Sequence, residues 1–203
     1  MQTKKNNIYE KVLKTARREF LERGYKDTNM RTIAEKTGVG LSNIYNYFDN
    51  KNVIFQKILA PAMAAIDELL DEHNYEENLT IDIFLSQQYI KKQTEMLVNL
   101  ICRHKDGLRI LLFKSHGSSL ENYRNDFIDR HTRIGLRYLQ LMKQRYPHIH
   151  IDFSDFFVHT MSSWWISIIG ELVMHDLTKK ELTRFISEYV EYATAGWKGI
   201  MKI

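Results

Sequence analysis

The sequence predicts an all-α protein in which a three-helix head containing a helix-turn-helix precedes a larger helical bundle. Apolar residues recur at helical spacing along most of the chain, and no stretch of period-two alternation appears. Only 2 of the 203 residues are proline and 9 are glycine, which leaves little material for loops. Gly38 and Gly40 fall between two short apolar-periodic segments, the arrangement of a tight turn joining two helices.

The elements follow in order. Ile8, Val12, Leu13, Ala16, Phe20 and Leu21 share one face of a first helix, and Gly24 follows as its stop. Thr28 or Asn29 caps a second helix with Met30, Ile33 and Ala34 inward, and Gly38 ends it. A third, short helix is expected from Leu41 to Tyr47, with Ile44 and Phe48 pointing into the core. Asn50 caps a fourth that carries Val53, Ile54, Ile58 and Leu59. Pro61 lies inside a pattern that stays helical to Leu70. It is expected to kink or interrupt that helix, because it removes the donor to the Lys57 carbonyl and crowds that oxygen. The acidic stretch from Asp67 to Asn78 ends in a loop. Further helices are expected over 80–102, 106–115, 119–145, 152–174 and 178–200, the last opened by a capping box of Thr178 and Glu181. The pattern divides the chain into a helix-turn-helix domain, 1–53, and a helical domain, 54–203.

Charge separates the same two parts. Residues 1–60 hold 12 Lys and Arg against 6 Asp and Glu, whereas residues 61–203 hold 17 against 19. A basic head on a slightly acidic body points to a polyanionic partner. One cysteine, Cys102, cannot close an intrachain disulfide, and the first residues lack the apolar core of a signal peptide. A cytoplasmic location is expected, with no membrane span, because no apolar run reaches the length of one.

The penultimate helix has no charged residue between Asp155 and Glu171, and its apolar side chains go nearly all round it. Such a helix must be covered on every side. A second subunit is the economical cover, which predicts a homodimer built on the last two helices with Trp164, Trp165, Ile168, Phe185 and Tyr189 at the interface.

In the third helix, setting Ile44 and Phe48 inward at about 100° per residue leaves Ser42 and Asn46 outward, flanked by Asn43 and Tyr45. That face is polar and uncharged, as suits base edges in a major groove. The stretch from Thr28 to Lys51 also resembles the signature of the tetracycline-repressor (TetR) family, through Ile33-Ala34, Gly38-Val39, Ile44-Tyr45, Phe48 and Lys51. The likeness covers residues 8–59; beyond them only helix content and length agree. It implies a transcriptional repressor that binds a roughly palindromic double-stranded DNA operator and is released by a small-molecule effector in the body. It implies phosphate contacts at Thr28, Asn29 and Arg31, at Tyr45 and Tyr47, and at Lys51. Base reading then falls to Leu41, Ser42, Asn43 and Asn46. Two positions depart from the family pattern: Gly40 stands where a polar cap is usual, and Leu41 where a polar or basic residue is common.

Within the body, Phe113, His116, Tyr138 and Trp165 are the candidate ligand-binding residues, on helices that a bundle can bring together. Control by a protein partner of the same DNA-bound fold is the alternative. A metal protein or enzyme built on His148, His150 and Asp152 is a weaker one. No Ser-His-Asp order, glycine-rich phosphate loop or paired-carboxylate signature stands out, so no catalytic residue, metal or cofactor is expected.

Overall fold

The computed structural model of the protein describes residues 2–71 and 79–203, with side chains from residue 7 onward. The loop expected at the end of the acidic stretch, 72–78, lies outside the described residues. Among the described residues there are eight α-helices and no strand: α1 (Gln2–Asp27), α2 (Met30–Thr37), α3 (Leu41–Tyr45), α4 (Lys51–Asp71), α5 (Gln87–Phe113), α6 (Tyr123–Arg145), α7 (Asp155–Met174) and α8 (Lys179–Met201). A 3-10 turn, Ile81–Phe84, precedes α5. Also among the described residues, no helix is long and apolar enough to cross a membrane.

The chain forms two compact units, Met1–Met63 with Asp106–Tyr123, and Ala64–Lys105 with Arg124–Ile203. In the first, α1 is interrupted at Gly24, whose φ of 81° and ψ of 171° suit a residue without a Cβ. The Tyr25 amide then donates to the Lys114 carbonyl at 2.8 Å. Phe20, Tyr25 and Phe55 pack ring against ring, with centroids 4.8–5.9 Å apart. Glu19 is buried on α1, where Lys36 of α2 and Arg23 of its own helix (3.5 Å) compensate its charge. Removing either cation would leave a desolvated carboxylate less well matched.

Three expectations about this unit need correcting. α4 is not interrupted at Pro61 but runs through it as one helix. Pro61 and Lys57 are both exposed, so water can serve the carbonyl that the proline leaves without a donor. The helices expected over 80–102 and 106–115 are one, α5. Within α5, a Cβ at Gly107 would stand 3.1 Å from Ala62 Cβ, so the missing side chain lets α4 and α5 approach closely. And α6 begins at Tyr123 instead of Ser119, because Ser119 is held in the preceding turns by Asn52 Oδ1, which accepts from both its amide and its hydroxyl.

The second unit has a core that includes Tyr138, Leu139, Met142, Ile149, Ile151 and Val158. Gly135 of α6 admits Val158 of α7, whose methyl would lie 3.1 Å from an added Cβ. α7 begins at Asp155, not at 152 as expected, and Ser154 caps it: its hydroxyl accepts from the Phe157 amide at 3.2 Å. The capping box of Thr178 and Glu181 opens α8, and hydrogen bonds from Thr178 hold the Glu181 carboxyl below its ordinary pKa. Arg130 pairs with Asp67 at 2.5 Å, and Lys105 reaches Asp176 and the His175 carbonyl at 2.8 and 2.7 Å.

Candidate nucleic-acid interface

Asn29 caps α2, its Oδ1 accepting from the Thr32 amide at 2.9 Å. Gly38 closes the helix in the left-handed region (φ 65°, ψ 20°), donating its amide to the Glu35 carbonyl. Nothing lies within 4 Å of a Cβ placed there, so the backbone conformation alone favours glycine. Thr37 staples the turn: its hydroxyl donates to the Ile33 carbonyl at 2.8 Å and accepts from the Val39 amide at 3.3 Å. Gly40 then stands at the N-cap of α3 with no side-chain bond to offer. α3 ends at Tyr45, earlier than the expected Tyr47, and the chain continues as a turn in which the Tyr47 and Phe48 amides both donate to the Ile44 carbonyl.

A helix of five residues has little stability of its own, so packing sets its orientation. Ile44 and Phe48 are both 0% exposed, and Phe48 stacks on Tyr9 with centroids 4.9 Å apart. With these two inward, Ser42, Tyr45 and Asn46 are exposed, while Leu41, Asn43 and Tyr47 are half-buried. The exposed face of α3 is polar and uncharged, so it can read hydrogen-bonding groups without a fixed charge that would prefer phosphate.

The flanking positions differ more from expectation. Thr28 is buried, its hydroxyl donating to the Gly24 carbonyl at 2.8 Å and its amide to the Tyr25 carbonyl at 3.3 Å. Its side chain therefore shapes the entry to α2 and is not presented to a ligand. Asn29 and Arg31 are exposed at that helix start, whose first turn contains no acidic side chain. Lys51 folds inward. Its ammonium donates to the Tyr25 and Thr28 carbonyls at 2.6 and 2.7 Å and lies 4.0 Å above the Tyr25 ring. Burial lowers its pKa, against the opposing influence of Asp27.

In the second unit, a cavity of about 740 Å³ opens among α5, α6, α7 and α8. Tyr138 and Trp165 line it, as expected, whereas Phe113 and His116 do not. Those two belong to the first unit, where both are exposed and His116 faces Glu121 at 3.5 Å. Missing from the sequence-based set are Phe157 of α7 and the α8 residues Tyr189, Ala193, Trp197 and Ile200. Their spacing of about four residues marks one helical face, and the small residues within it could have signalled a hollow. The phenol of Tyr189 is pushed up to about 12 by burial, and that of Tyr138 is also raised, by burial first and then by Tyr89 and Tyr146. On α7 and α8, Phe156, Trp164, Phe185 and Tyr192 are exposed, Phe156 by 77%, and Trp164 and Tyr192 also line the cavity; Ile168 and Tyr189 are half-buried.

His148 and His150 pack edge-on against Tyr146 and Phe153. Among the described residues no group of three or more His, Cys, Asp or Glu is placed to hold a metal ion.

Residues 12–58 match the family of bacterial regulatory proteins, tetR family. An HTH-type transcriptional regulator of Bacillus subtilis, YhgD, itself uncharacterised, is 33% identical over 61 residues, which are 30% of this chain and 32% of that protein. Over this segment the chain is similar to TetR-family regulators. Across nearly its whole length it shares the fold of solved TetR-type regulators. MexZ, a repressor of Pseudomonas aeruginosa, superposes with a TM-score of 0.61 at 18% identity over 94% of each chain. FadR of Bacillus subtilis, solved with stearoyl-CoA, does so with 0.58 at 20% identity, over 92% of this chain and 97% of that one.

The matched segment holds all of α2 and α3 and the first turns of α4. That segment thus carries a helix-turn-helix of the TetR type. Its curated relative is matched over about a third of that protein's length, and the body, with its cavity and apolar outer face, lies outside the matched segment.

Proposed function

We propose that this chain is a TetR-family repressor that binds a roughly palindromic operator as a two-fold homodimer and leaves it when a small molecule fills the cavity. The observation that supports this best is the polar, uncharged face of α3, held outward by two completely buried anchors. In this reading residues 1–53 read DNA, and residues 54–203 bind the effector and dimerise. Leu41, Ser42, Asn43 and Asn46 meet base edges, while Tyr45 and Tyr47 donate to phosphate. Arg31 and the free amides of the α2 start, which Thr28 and Asn29 shape, grip a phosphate on the same strand. Lys51 serves that strand with the one ammonium hydrogen left after its two carbonyl bonds.

The cavity favours a small ligand over a protein partner as the controlling agent. MexZ is a repressor, and FadR holds an acyl thioester on this fold. Trp164, Trp165 and Tyr189, three of the proposed dimer residues with Ile168 and Phe185, also line the cavity. A ligand there would press on the wall that meets the second subunit, giving occupancy a route to the spacing of the two heads.

Selection of duplex sites from a random pool with purified protein tests the DNA half of the proposal. An inverted repeat is expected, with half-sites centred about 34 Å apart or a multiple of that. Affinity should drop steeply with rising salt as the basic head displaces counterions. An enriched site without two-fold symmetry, or binding indifferent to salt, would contradict it.

A further inference from the structure

We propose that the cavity selects an uncharged, mainly apolar ring compound and rejects charged ones, including phosphorylated acyl thioesters of the kind seen in FadR. This rests on the effector role proposed for the same cavity.

The inference comes from what the wall offers. Among its described lining residues there is no Asp, Glu, Lys or Arg, and apolar atoms make up most of the surface. Ring faces come from Tyr138 of α6, Phe157 and Trp165 of α7, and Tyr189 and Trp197 of α8. Trp165 is stacked on Phe127 and tilted against His131, at centroid distances of 5.3 and 5.8 Å, so its plane is set before any ligand arrives. Flat apolar guests gain from such preset walls. An anion would lose its hydration with no Lys or Arg to replace it, the one basic ring among the described lining residues being His131, which packs against Trp165. An organic cation would find ring faces but no carboxylate, and the gain from the rings would have to outweigh its dehydration. Hydroxyls and the Gln93 carboxamide on the wall suit the one or two neutral polar groups that would orient the guest.

The chain supplies its own reporter. All 3 of its tryptophans, Trp164, Trp165 and Trp197, line this cavity, so quenching of tryptophan emission reports occupancy there. Three probes with the same kind of fused ring separate the alternatives: neutral N-phenylnaphthylamine, anionic anilinonaphthalene sulfonate and a cationic trimethylnaphthylammonium. The neutral probe should quench with an affinity at least about tenfold above either charged one. Equal or tighter binding of a charged probe, or no quenching by any of the three, would overturn the proposal. Met161→Arg, which puts a cation on the wall, should shift the preference toward the sulfonate. If that variant does not fold, the comparison on the wild-type protein decides alone. Operator binding, measured separately with each probe, keeps the two readings apart. A neutral preference without operator release removes only the effector role, whereas release by an anion removes only the ligand class.

Discussion

Replacing Phe48 with alanine is expected to destabilise the head by about 3–5 kcal/mol and to abolish specific DNA binding. The side chain is completely buried and stacks on Tyr9, and its amide closes the turn after α3 onto Ile44. Ile44 would be left as the one completely buried anchor of a five-residue helix, so the loss is felt in recognition as well as stability. Because the chain has two compact units, a single global melt would blur the effect. Hydrogen exchange at the amides of Tyr47 and Phe48 reads it locally. Protection there that matches the wild type would show that α3 does not depend on this anchor.

The second large effect is expected at the proposed dimer face. Phe185 is 40% exposed in the single chain, so Phe185→Glu should leave the subunit folded. In a two-fold interface the change appears twice, and each copy buries an unpaired carboxylate. By comparison with breaking buried ion pairs, that costs about 3–5 kcal/mol per site. Sedimentation at micromolar concentration should show a wild-type dimer and a folded monomer for the variant, with operator affinity lost in parallel. A variant that remains dimeric would place the interface elsewhere.

Much of the head was legible in the sequence because its signals are local. Ile44 and Phe48 declare their burial by spacing, and Gly38 ends α2 where the chain must turn left-handed. What could not be read depends on partners distant in sequence. Gly107 gives no local sign that Ala62 packs against it. Lys51 reads as a free cation, yet two carbonyls at the end of α1 capture it. Thr28 reads as a cap, but its hydroxyl turns back to Gly24 and leaves the cap to Asn29. The cavity was half legible. Tyr138 and Trp165 were reachable as aromatics on bundle helices, but sequence spacing gives no sign that Asp106–Tyr123, with Phe113 and His116, packs in the other unit.

The central claim is that α3 reads bases through its uncharged face, and Asn46 is its most direct test. Asn46 is exposed just after α3, on the side away from both anchors, where no core packing depends on it. Site selection should be run in parallel with wild-type protein and Asn46→Ala. The variant is expected to enrich the same inverted repeat with preference relaxed at one position in each half-site, a loss of discrimination of about 1–3 kcal/mol at that base. Affinity for unrelated DNA should hardly change, because every sequence carries the same phosphates. If the variant selects the wild-type sequence with undiminished preference at every position, α3 does not present this face to the bases and the account of recognition fails.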